Sequence, residues 1–244
     1  EVLGVWSLTI GLVAFLRFAD VSGGVGLNHL ISQPGQDELY KTETIDSVTI
    51  LAFLFYALLA ALLFFPLSSY IEQTAEGVIA ASVDSLVILT LSSLALTVLG
   101  SAQLSALDGL GLAAKNSLLQ LAGSLCFGIL GFALIPTYGI HGMAYAQLVQ
   151  MALILIFSRV LLVGHLRPLG LFPTSLSMKP LADAIRYGLK IQAASLSSLF
   201  LEPGTRLIVN YFAGLEGLAI FSFVYRLAAM PRLVVNSALR PYIP

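Results

Sequence analysis

The chain is short of charge. Only 10% of its 244 residues are Asp, Glu, Lys or Arg, against about a quarter in an ordinary soluble domain. A surface drawn from a composition that is 58% hydrophobic, with mean hydropathy +0.93, could not be kept in water. Cysteine is almost absent too. Cys126 stands alone between Leu125 and Phe127, which excludes an intrachain disulfide and points to a thiol serving as a small buried hydrophobe. A basic excess is also missing. The formal net charge is −1, so nucleic acid is excluded as a partner because its phosphates demand a basic surface. There is no Walker phosphate loop, no HExxH pair, no paired-cysteine motif and no serine elbow. ATP-driven pumping by this chain is therefore not expected, the chain is not read as an enzyme, and no metal or cofactor is expected.

What the chain has instead is apolar length. About 20 helical residues cross a hydrocarbon core of roughly 30 Å. Runs of that size stretch from Leu3 to Ile31, Val48 to Ile71, Gly77 to Gly100, Asn116 to Ile135, Ile140 to Gly164, Gly188 to Phe212 and Leu218 to Leu239. They recur along the whole sequence, so a cleaved signal peptide does not account for them. Membrane strands need only about 10 residues and alternate strictly. The expected fold class is therefore all-α, a polytopic transmembrane bundle of about seven helices.

The charges that remain are unevenly placed. Ser68 to Glu76, Pro136 to Gly139 and Ala213 to Gly217 contain neither Lys nor Arg. The polar stretch His165 to Tyr187 carries Arg167, Lys179 and Arg186, with Arg159 and Lys190 beside it, and the two other loops of that set carry Lys41 and Lys115. By the positive-inside rule these loops face the cytoplasm. The first segment then runs inward and requires a helix before it. With a start at Glu1 and a stop at Pro244 near an apolar run, the chain reads as part of a longer protein. His29 and His165 are expected in cytoplasmic loops and His141 in a turn.

Shifting the chain by 215 positions aligns Glu1 with Glu216, Leu3 with Leu218, Ser7 with Ser222 and Arg17 with Arg232, without a gap. Six helices separate the two copies, so both cross in the same direction, as in transporters whose halves are parallel repeats. The expected organisation is an N-terminal lobe over 1–164, a cytoplasmic linker over 165–187 and the start of a second lobe over 188–244.

Few ionised side chains lie inside the apolar runs, and each costs several kcal/mol there, about 2.5 to 3.5 on the permissive insertion scale. Arg17 and Asp20 are three apart, and Glu202 and Arg206 four apart, so each pair can share a helix face. Pro203 and Gly204 between the latter should break or kink the helix. Arg226 lies well within the last run, and Asp84 stands alone in the third. Guanidinium groups bind phosphate oxygens bidentately and stay charged away from water. Arg17, Arg206 and Arg226 are thus candidates for a cationic cavity that receives a diphosphate, with Asp20 and Glu202 beside them, and Asp84 is a candidate for cation coupling. The alternative is structural: ion pairs that lock helices, an interhelix hydrogen bond at Asp84, or arginines that snorkel to an interface.

Several segments taken together resemble one family. They are Gly4 to Leu8 (GVWSL) running on to Phe18-Ala19-Asp20, and the turn Ala106 to Gly111 (ALDGLG) with Lys115 following. Further along come Pro136 to Gly142 (PTYGIHG) before Ala144 to Gln147 (AYAQ), and Tyr211 to Gly214 (YFAG) leading to Phe221 to Ala228 (FSFVYRLA). In order and spacing they resemble the polysaccharide (O-antigen and exopolysaccharide) flippases of the multidrug/oligosaccharidyl-lipid/polysaccharide, or MATE-like, exporter superfamily. The chain departs from that pattern at Glu202 to Arg206, where the family has a shorter polar pair before the arginine. The resemblance implies a partial two-lobe architecture in which the seven segments match the family's second to eighth helices. It also implies alternating-access flipping of undecaprenyl-diphosphate-linked oligosaccharide across a bacterial cytoplasmic (inner) membrane, for cell-surface polysaccharide such as lipopolysaccharide. The implied partners are the lipid-linked oligosaccharide, the lipid bilayer, a polysaccharide polymerase and a chain-length regulator. Two rivals are a cation-coupled drug exporter of the same superfamily, which would favour acids and aromatics in its cavity, and a membrane-embedded glycan polymerase or ligase, which would need a sizeable outward loop.

Overall fold

The computed structural model describes residues 24–74, 83–199 and 204–239, and the regular elements among them are all helices. In chain order they are α1 Gly24–Ser32, α2 Glu38–Thr74, α3 Val83–Gly109, α4 Ala113–Tyr138, α5 Ile140–His165, α6 Met178–Leu199 and α7 Thr205–Leu239. Five stretches are long and apolar enough to cross a membrane: Glu38–Gln73, Val83–Gly109, Ala113–Tyr138, Ile140–His165 and Thr205–Tyr225. The chain is a multi-pass, all-α membrane protein.

Its outer surface is built for lipid. On α4, Leu118, Leu121, Leu125, Ile129 and Phe132 recur at helical spacing and all point outward, Phe132 with 87% of its surface exposed. Leu54, Leu58, Leu62 and Phe65 form the same kind of stripe on α2. In water such stripes would seed aggregation; in a bilayer they are the required exterior. Cys126, expected to be buried, is only half-buried because it lies beside the α4 stripe.

α3 is the central post, packing against α1, α2 and α5, while α4 and α5 form a hairpin joined by the single residue Gly139. One apolar cluster joins α2, α3 and α5 through Ala52, Tyr56, Leu86, Val87 and Ala144. A second, at the end where α1 stops and α2 starts, joins Leu27 and Ile31 to Ile45, Leu107, Leu162 and, on α6, Ala184.

Several boundaries differ from those read in the sequence. α2 starts at Glu38 rather than Val48, and α3 continues to Gly109 rather than Gly100. Both extensions are polar turns that carry on the backbone hydrogen bonding beyond the apolar span. Within the stretch 188–212, expected as one crossing, α6 runs from Met178, inside the expected linker, to Leu199 and α7 runs from Thr205, while residues 200–203 lie outside the described residues. α6 escapes a hydropathy reading because it is amphipathic. Lys179, Asp183, Arg186 and Lys190 share one side, whereas Leu181, Ala184 and Gly188 are buried against α1 and α2. α7 is itself interrupted at Gly214, which has φ 66° and ψ −171°, inside the turn expected at 213–217. His29 and His165 belong to the last turns of α1 and α5 rather than to loops, and His141 opens α5, where its Nε2 lies 2.8 Å from Ser85 Oγ. The first segment up to residue 23, and with it the N-terminal copy of the internal echo, lies outside the described residues.

α1 is gripped from two sides where a side chain would not fit. A Cβ at Gly26 would sit 2.8 Å from the Ala184 carbonyl oxygen of α6, and one at Gly109 of α3 would sit 2.8 Å from the Asn28 carbonyl oxygen of α1. These neighbours are backbone and cannot rotate away. Gly26→Val and Gly109→Val should each lower stability by about 1 to 3 kcal/mol, the usual cost of overpacking. Thermal melting of detergent-solubilised protein would check this, with Gly128→Val as control, since a Cβ there meets nothing within 4 Å.

Candidate functional site

A polar cavity of about 340 Å³ opens between α3, α4 and α5, within segments long enough to span the membrane. It is lined by Ser101, Ser105 and Asp108 of α3, Asn116 and Gln120 of α4, and Gln150 of α5, among others. The spacing explains the lining. Ser101, Ser105 and Asp108 are four and three apart, as Asn116, Gln120 and Ser124 are four apart, so each set forms one stripe along its helix.

Asn116 organises the site. It is buried, its Nδ2 donates to Asp108 Oδ1 at 2.7 Å and to the Leu104 carbonyl at 3.3 Å, and its Oδ1 accepts from Gln120 Nε2 at 2.7 Å. The chain Asp108–Asn116–Gln120 thus fixes one carboxylate and two amides, starting where α3 ends and reaching inward along α4. From Asn116 to Ser124 the stripe covers about 12 Å, at 1.5 Å per residue. Polar groups turned to lipid at that depth would go unsatisfied, so the cavity is a place for water or a polar solute. Such a lining of amide, hydroxyl and carboxylate groups can donate and accept hydrogen bonds to a hydroxyl-rich ligand.

On the other side of α3 and α5 lies an apolar groove of about 590 Å³, lined by Leu96, Leu99, Leu155 and Ile156 and capped by Leu171 and Phe172 of the connection between α5 and α6. Gln103 and Ser158, hydrogen-bonded at 2.9 Å, tie α3 to α5 in the wall between the two.

At the end of the groove nearest the connection between α5 and α6 sits a buried ion pair. Arg159 Nη2 donates to Asp46 Oδ1 at 2.6 Å, with side chains 6% and 2% exposed. Asp46 Oδ2 also accepts from the Thr174 N–H at 3.0 Å and from Ser175 Oγ at 3.2 Å, while Arg159 Nε donates to the Gly170 carbonyl at 2.9 Å. Arg159, expected to flank a cytoplasmic loop, is instead a buried strut. Asp46 gave no signal because the apolar run appeared to begin after it.

Of the site residues expected from sequence, Arg206 is described: it is in the first turn of α7 and buried, 8% exposed. Asp84 is exposed in the first turn of α3, where a carboxylate complements the helix dipole. Arg17, Asp20 and Glu202 lie outside the described residues, and Arg226 belongs to α7 with its side chain outside them. The polar cavity was missed, although the three- and four-residue periodicity of polar residues at 101–108 and 116–124 would have revealed it.

A family profile described as polysaccharide biosynthesis protein matches residues 9–244. No match was found among curated proteins or among solved structures.

The ion pair yields a quantitative expectation. Arg159→Met leaves the Asp46 carboxylate with its Thr174 and Ser175 donors, so it should cost about 3 kcal/mol; Asp46→Leu strands both Arg159 and those donors and should cost about 5 kcal/mol. The double variant should recover part of the loss, because two apolar groups replace two charges. Unfolding midpoints of the three variants would check the order.

Proposed function

The chain belongs to the polysaccharide biosynthesis protein family, and from that membership we propose that it flips a lipid-linked oligosaccharide, carried on undecaprenyl diphosphate, across the bacterial cytoplasmic membrane. The observation that carries the reading is the polar cavity between α3, α4 and α5, backed by an apolar groove on the opposite side of α3 and α5. A glycolipid is an amphiphile. Moving its head through a bilayer requires a hydrated, hydrogen-bonding surface inside the bundle while its tail stays against apolar side chains. Asn116, Gln120 and Gln150 supply amide donors and acceptors for sugar hydroxyls.

In this reading Arg17, Arg206 and Arg226 contribute positive charge for the diphosphate, with Asp20 and Glu202 as their counter-ions, and Asp84 couples transport to a cation. The buried position of Arg206 supports its part. Residues 1–164 and 188–244 belong to two lobes joined through 165–187, with α6 running from the end of that linker into the second lobe, and the glycan is handed on to a polymerase and chain-length regulator.

The test is complementation in a strain lacking its own polysaccharide flippase. Arg206→Ala, Arg226→Ala and the double change Asn116→Ala/Gln120→Ala, each made in the full-length protein, should abolish surface polysaccharide at unchanged protein level in the membrane. Lipid-linked oligosaccharide should accumulate on the cytoplasmic side. Undiminished export from all three would defeat the assignment of both cavity and arginines.

A further inference from the structure

A second polar pocket, of about 290 Å³, lies away from the cavity just described, where α1 ends, α2 begins and α6 packs across both. Its walls include His29 of α1, Gln33 and Gln36 of the following loop, Tyr40 of α2, and Arg186 and Lys190 of α6. Three features fix its chemistry. First, Asp183, the carboxylate in its lining, is engaged by Tyr40, whose hydroxyl donates to Oδ2 at 3.1 Å. Second, Arg186 and Lys190, four residues apart on one helix face, make no hydrogen bond or ion pair with the described residues. Two cations therefore share a concavity with one carboxylate, which Tyr40 holds through a single oxygen. Third, the helix that carries the cations is held in place: the backbone contact at Gly26 seats α6 on α1, and the Tyr187 ring stacks on His29 with centroids 4.2 Å apart and planes 6° from parallel. Gln36 Nε2 donates to Gln33 Oε1 at 3.1 Å, and Gln33 Nε2 lies 3.3 Å from His29 Nε2, completing a hydrogen-bonding rim.

The pocket is at the end of the bundle that carries Lys41, Lys115, Arg167 and Lys179, the side the charge distribution assigns to the cytoplasm. Lipid phosphates are the anions that the ends of membrane-spanning helices meet, and an amphipathic helix with a basic face is suited to meet them. We infer that Arg186 and Lys190 form a binding site for the phosphate group of an anionic lipid head group at the cytoplasmic membrane surface. The inference rests on the membrane assignment and is independent of which substrate is transported. Arg186 grips two phosphate oxygens with its planar fork, and Lys190 adds a point charge on the same side.

The experiment is native mass spectrometry of the detergent-solubilised chain exposed to phosphatidylglycerol or phosphatidylcholine, with and without inorganic diphosphate. The chain should retain phosphatidylglycerol in preference. Arg186→Gln/Lys190→Gln should weaken retention about thirtyfold, at about fivefold for each cation near the surface. Asp183→Asn, which keeps an acceptor for Tyr40 and removes the opposing charge, should strengthen it severalfold. The control Lys115→Gln/Arg167→Gln removes the same charge elsewhere and should leave retention unchanged. Displacement by diphosphate would show that phosphate alone is read, and persistence of the lipid that the membrane-borne head group is needed; either supports the site when the double variant is impaired. Equal retention by the double variant and the wild type, or an equal loss in the control, overturns it. A defect in polysaccharide export alone, without altered lipid retention, speaks to the transport reading and not to this pocket.

Discussion

The arrangement of the end of the bundle where α1 stops and α2 starts depends on one buried ion pair. Asp46 and Arg159 are removed from water, a transfer that costs several kcal/mol per ion unless further hydrogen bonds offset it. Most of those bonds come from chain that has no regular structure of its own, and Arg159 Nη1 is left without a partner among the described residues. The connection after α5 donates Thr174 N–H and Ser175 Oγ to Asp46, accepts from Arg159 through Gly170, and donates Ser177 N–H to Ser47 Oγ at 2.8 Å. An irregular strap is thereby pinned to α2 and α5 just before Met178, where α6 starts. The direction in which α6 leaves, and hence its seat on α1 at Gly26, follows from that fastening.

The bilayer as solvent explains which polar groups are structural and which are not. Thr49, Thr90, Ser93 and Thr97 each return their hydroxyl to the carbonyl four residues earlier, at 2.6 to 2.8 Å. A hydroxyl satisfied in this way behaves almost as an apolar group and adds nothing across helices. Asn116 does the opposite, reaching from α4 to Asp108 and Leu104 on α3, and Gln103 meets Ser158 of α5. The second kind ties the walls of the cavity together, because its donors and acceptors are held between helices, whereas Thr97, Ser101 and Ser124 line the cavity with hydroxyls folded back on their own helices.

The same distinction decides what the sequence could disclose. The four spans from α2 to α5 were legible because long apolar runs leave no other stable option in a membrane. Averaged hydropathy hid the stripe Asn116–Gln120–Ser124, whose polar members are interleaved with Leu118, Leu119 and Leu121. It also hid α6, whose basic and apolar faces cancel in the mean. Arg159 was counted with the loop charges nearby, and its partner lies 113 positions back along the chain, a pairing that no local pattern encodes. Arg206 was legible as an arginine in an apolar setting and is buried, since an intramembrane guanidinium turns inward unless it can reach an interface.

α3 and α5 thus act as a partition with unlike sides. On α3, Leu96, Leu99 and Gln103 border the apolar groove, while Ser101, Ser105 and Asp108 border the polar cavity. On α5, Leu155 and Ile156 line the groove, and Gln150 and Met151 the cavity. A helix whose faces differ this much has only one favourable rotation about its axis, because turning it would place amides in lipid and leucines in the polar space. The Gln103–Ser158 hydrogen bond lies at the seam and locks the two rotations to each other. The polar cavity is therefore not a packing defect that relaxation could close. Collapsing it would require α3 and α5 to rotate together against the apolar cluster of Leu86, Val87 and Ala144 that joins them to α2.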